Sequence, residues 1–62
     1  MQDRLQRVLK LLEEASPAVS LHEQALLARY TAELLAEKGE TYVMRHLELF
    51  KDQWKYIQSH GV

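Results

Sequence analysis

The sequence predicts an all-α protein: a small three-helix up-down-up bundle that associates as a dimer. Three observations lead there. Eleven Leu against two Gly and one Pro favour helix by intrinsic propensity. Apolar residues recur at alternating steps of three and four in three stretches. Turn chemistry interrupts that rhythm at two places, Ser16-Pro17 and Gly39.

The first helix is expected over residues 2–15. Leu5, Val8, Leu9, Leu12 and Ala15 share one face, and Arg7, Lys10, Glu13 and Glu14 fall opposite. Pro17 lacks a backbone donor and disfavours helix at Ser16, which ends the segment. The second helix is expected over 20–38. Ser20-Leu21-His22-Glu23 reads as a capping box, in which Ser20 accepts from the N–H of Glu23 and Glu23 reaches back to that of Ser20. A start at Ser16, with Pro17 in the first helical position, is the rival. Gly39 is a natural stop.

The third helix is expected over 41–59, capped by Thr41. Leu21, Ala28, Leu35, Tyr42, Leu49 and Tyr56 repeat every seven residues across Gly39, which raises the alternative of one long helix. A coiled coil needs a second apolar series beside the first. The companion series Ala25, Ala32, Gly39, His46, Gln53 ceases to be apolar at the glycine, and the main stripe moves to Val43, Leu47, Phe50, Trp54 and Ile57. A phase change at a glycine is a turn. Residues 1–62 therefore form a single helical domain.

A chain of 62 residues hides only about 60% of the surface its unfolded form exposes. With no Cys to supply disulfides or thiolate metal sites, oligomerisation is the remaining support. The distribution of apolar residues agrees. The second helix carries a small face (Leu21, Ala25, Ala28, Ala32, Leu35) and, nearly opposite, a bulky one (Leu26, Leu27, Tyr30, Leu34). A helix apolar on two sides is a buried one. The third helix widens its stripe with Tyr42, His46, Leu49, Gln53 and Tyr56. Three rods of this length cannot shelter all of these. The expected interface is Leu26, Leu27, Tyr30, Leu34, Tyr42, His46, Leu49, Gln53 and Tyr56, and a two-fold dimer is the commonest way to cover it.

Other chemistry finds little footing. His22, His46 and His60 are scattered, with His46 and His60 about 21 Å apart along a helix, so no metal is expected. Ser16 and Ser20 read as turn and cap residues. Thr31 reads as a hydroxyl bonding its own helix. The carboxylates Glu13, Glu14, Glu33, Glu37 and Glu40 read as solvated, and two Gly do not make a phosphate loop. No catalytic residue or cofactor is expected, and the chain is read as non-enzymatic.

A helix-turn-helix is the alternative, with 41–59 as recognition helix offering Arg45, Lys51, Lys55 and Gln58. A net charge of −1, with Glu48 and Asp52 on that same face, argues against nucleic acid. Arg4, Arg7 and Lys10 form a weaker basic strip that reads as solvated. The longest apolar runs are a few residues, far short of the ~20 of a membrane span. The absence of Cys fits a reducing cytoplasm. The function expected is a small interaction module, self-associating or docking as an accessory or regulatory subunit on a larger protein.

Overall fold

The computed structural model describes residues 3–60, which form four helices and no strand: α1 Asp3–Ala15, α2 Leu21–Lys38, α3 Glu40–Arg45 and α4 Leu47–His60. The all-α small bundle is as expected; the third helix is divided in two. Gln2, expected to begin the first helix, lies outside the described residues.

α1 sends Val8 and Leu12 fully into the core, with Leu5 and Leu9 partly buried beside them. Asp3 in its first turn sits where the helix dipole favours negative charge. The Ser16 N–H bonds the Leu12 carbonyl at 3.2 Å, after which Pro17 forbids continuation. In the link that follows, Ala18 is buried.

α2 begins as expected. Ser20 is extended (φ −112°, ψ 162°), and its side chain accepts from the Glu23 N–H at 3.1 Å. The reciprocal arm reaches one residue further than a capping box does: Glu23 Oε1 accepts from the Val19 N–H, at 3.0 Å. At the other end Gly39 has φ +86°, and its N–H closes on the Leu35 carbonyl at 3.0 Å. No atom crowds a Cβ there, so the glycine is required by its backbone conformation alone. Thr31, fully buried, donates to the Leu27 carbonyl at 2.8 Å, the bond back into its own helix that was expected.

Gly39 also starts α3, and no side chain caps that helix; Thr41 lies inside it rather than at its cap. The run expected as one helix then breaks at His46 (φ −115°, ψ 34°). The His46 N–H still bonds Tyr42, while the His46 carbonyl accepts from both Leu49 and Phe50, at 3.1 and 3.3 Å. Neither Gly nor Pro lies between Met44 and Glu48, so no local signal marks the break. Packing on two different neighbours marks it instead. α3, with Val43 fully buried, lies against α2 and also against α1, where Arg7 pairs with Glu40 at 2.6 Å, whereas α4, which buries Phe50 and Trp54, lies against α1 and approaches α2 only weakly.

The core gathers Val8, Leu12, Ala18, Leu27, Leu34, Leu35, Val43, Phe50 and Trp54. α1 lies against both α2 and α4, and α3 against α2 and α1, but α2 and α4 approach each other only weakly. That unclosed side positions the site.

Candidate interaction groove

Between α2 and the α3–α4 arm runs an open groove of about 310 Å³. Its α2 wall is Tyr30, Glu33, Leu34, Glu37 and Lys38; its other wall is Tyr42, Leu49, Phe50 and Gln53. Two of these, Leu34 and Phe50, are core residues that form the floor. Their placement follows from sequence spacing: Tyr30, Leu34 and Glu37 lie on one helical face of α2, as do Leu49 and Gln53 on α4.

The Tyr30 side chain reaches across this groove. Tyr30 donates through its hydroxyl to Gln53 Oε1 at 2.8 Å, and its ring stacks near Trp54, with centroids 6.4 Å apart. Burial pushes the Tyr30 phenol up to about 12, so it stays protonated and remains a donor. At the rim, Lys38 Nζ sits 5.5 Å from the Tyr42 ring, and Arg29 pairs with Glu33 at 3.4 Å. A shallower depression of about 220 Å³ continues past Tyr30, lined by Leu26, Arg29, Glu33 and Ile57.

The nine residues expected at an interface separate into three groups. Leu27 (1% exposed) and Leu34 (7%) are core residues of the single chain, which corrects their assignment. Most of the bulky face of α2 therefore turns inward, because α1 lies against it. Leu26 and Tyr30 are half-buried at the groove edge. Tyr42 (44%), Leu49 (51%), Tyr56 (65%), His46 and Gln53 are exposed along one side of α3 and α4. The small face of α2 is largely uncovered, with Leu21 at 84% and Ala25 and Ala32 exposed, although Leu35 is buried.

Sequence reasoning missed the polar clasp at the opposite end. The Trp54 indole N–H donates to the Ser16 carbonyl at 2.8 Å. Gln58 Nε2 donates to the Pro17 carbonyl at 2.7 Å and to Glu23 Oε1 at 3.2 Å, and its Oε1 accepts from the Ser16 hydroxyl. The Val19 N–H, then the Gln58 amide, hold the Glu23 carboxyl below its ordinary range. Gln58, expected on an exposed face for nucleic acid, is thus a structural tie. A Gln 41 residues from Pro17 carries no sequence signal of that contact.

The expected recognition helix 41–59 is absent as a continuous rod, since the chain turns at His46. Among the described residues no three His, Asp or Glu side chains cluster as metal ligands, and no helix is long and apolar enough to cross a membrane. His46 packs on Tyr42 (centroids 4.4 Å) and His60 on Tyr56 (4.1 Å), each within its own stretch of chain. Comparison with protein-family models, with curated proteins and with solved structures finds no match to this chain.

Proposed function

We propose that this chain is a small non-enzymatic protein–protein interaction module of the cytoplasm, which works by self-association through the groove and the exposed side of α3–α4. The observation that carries the reading is the weak approach of α2 to α4 while Tyr42, Leu49 and Tyr56 stand exposed beside the gap. A groove between two helices, floored by apolar side chains, is the shape that accepts an amphipathic helix. Aromatic residues of the kind that dominate interface cores line it. The same surface serves docking as an accessory subunit on a larger protein when the incoming helix is another chain's.

Light scattering across a concentration series tests this. The wild type is expected to run as a dimer that dissociates on dilution. Leu49→Asp is expected to run as a monomer with unchanged helical circular dichroism, because Leu49 is exposed in the single chain. Leu34→Asp is unsuitable, since a charge at that buried position unfolds the subunit itself. A wild type that stays monomeric at every concentration refutes the proposal.

A further inference from the structure

Tyr42, His46, Leu49, Gln53, Tyr56 and His60 follow one another at alternating steps of four and three, and all six are exposed. That spacing sets them along one side of α3–α4. The break at His46 leaves Tyr42 on this line: its ring packs on His46, lies 6.2 Å from that of Phe50, and shares the groove wall with Leu49 and Gln53.

A tyrosine lies seven residues to either side of Leu49. Opposite charges flank this line. Arg45 and Asp52 each precede a residue of this line by one position. Both are exposed, and neither has an ion-pair partner among the described residues.

Resting on the self-association above, we propose that the partner is a second copy docked antiparallel along α3–α4, with the two-fold axis near Leu49. Arg45 of each copy then faces Asp52 of the other, and Tyr42 faces Tyr56. Both pairings centre in sequence within one residue of Leu49, so one arrangement accommodates them together. Parallel docking in register puts the two Arg45–Asp52 edges on opposite sides of the contact, so neither charge meets its complement. The antiparallel arrangement also lays the second α4 beside the groove mouth, so the wall on α2 is covered together with that line of residues. A standard interface covers about 800 Å² per partner, close to a fifth of the 4369 Å² this chain exposes.

Because the chain has no Cys, disulfide trapping is clean. Tyr42→Cys and Tyr56→Cys proteins are mixed and oxidised in their dimeric state. Antiparallel docking gives the mixed disulfide well above the half share that random pairing of equal amounts produces; a share at or below one half overturns it. Charge reversal gives an independent reading. Arg45→Asp and Asp52→Arg are each expected to weaken dimerisation about tenfold, since two symmetric exposed pairs turn from attraction to repulsion. The double reversal is expected to return to within about threefold of wild type, and both single effects to shrink at high salt. A dimer indifferent to all three substitutions refutes the antiparallel register and leaves self-association standing. A monomeric wild type removes both readings.

Discussion

The two sides of α2 that meet other helices are built differently. Toward α1 the contact is closed: Val8 and Leu12 of α1 and Leu27 of α2 are all 1% exposed or less. Toward α4 it is more open, crossed by the bond from Tyr30 to Gln53 and, at the far end, by that from Gln58 to Glu23. Two seams of one helix thus separate two tasks. The closed seam holds the subunit together, and the open one leaves apolar surface available. Substitutions on the two sides are accordingly expected to fail in different assays.

The largest effect is expected from Trp54→Ala. It removes the largest buried side chain, leaves a cavity and strips the Ser16 carbonyl of its donor. A loss of about 3–5 kcal/mol follows, comparable to the whole stability of a domain this small, at ~0.1 kcal/mol per residue. Circular dichroism is expected to show a largely unfolded chain. Gln58→Ala opens the polar clasp while sparing the core, and urea unfolding is expected to register a loss of about 1–2 kcal/mol. Ser20→Ala costs about 1 kcal/mol by the same measurement, through loss of the cap on α2.

Acid supplies a subtler comparison. The lowered Glu23 group stabilises the fold above its ordinary value of 4.5, and that contribution fades as pH falls through the lower folded value. Glu23→Gln is therefore expected to be less stable than wild type near neutrality and to converge with it in acid, measured as urea midpoint against pH. The smallest effect on the subunit belongs to the open seam. Leu49→Ser is expected to change monomer stability by no more than about 0.5 kcal/mol and to register in dimer dissociation instead. A large loss of subunit stability there would erase the distinction between the two seams.

What the residues disclosed in advance was local. The cap at Ser20, the stop at Gly39 and the back-bonded Thr31 each depend on neighbours within four positions, and each is found where the sequence places it. The apolar stripe Val43, Phe50, Trp54 was legible because periodicity fixes direction around one helix. Which of two opposite faces of α2 turns inward was not legible. Periodicity ranks them equally, and only the position of α1 decides. The break at His46 was hidden for a similar reason, since α3 and α4 part to follow different neighbours with no residue between them that demands it. Of the groove lining, the sequence singled out Tyr30, Leu34, Tyr42, Leu49 and Gln53, but nothing in it separated these from Leu27, which is buried in the single chain, or marked Leu34 as part of the floor.

The chain's lone tryptophan has a practical consequence. Its indole is shut off from solvent where α1, the link after it and α4 converge, so its fluorescence is expected to shift to longer wavelength only when that junction opens. A titration that separates subunits while leaving this emission untouched would distinguish dissociation from unfolding in one cuvette. Tyrosine signals from positions 42 and 56 would meanwhile follow the outer surface.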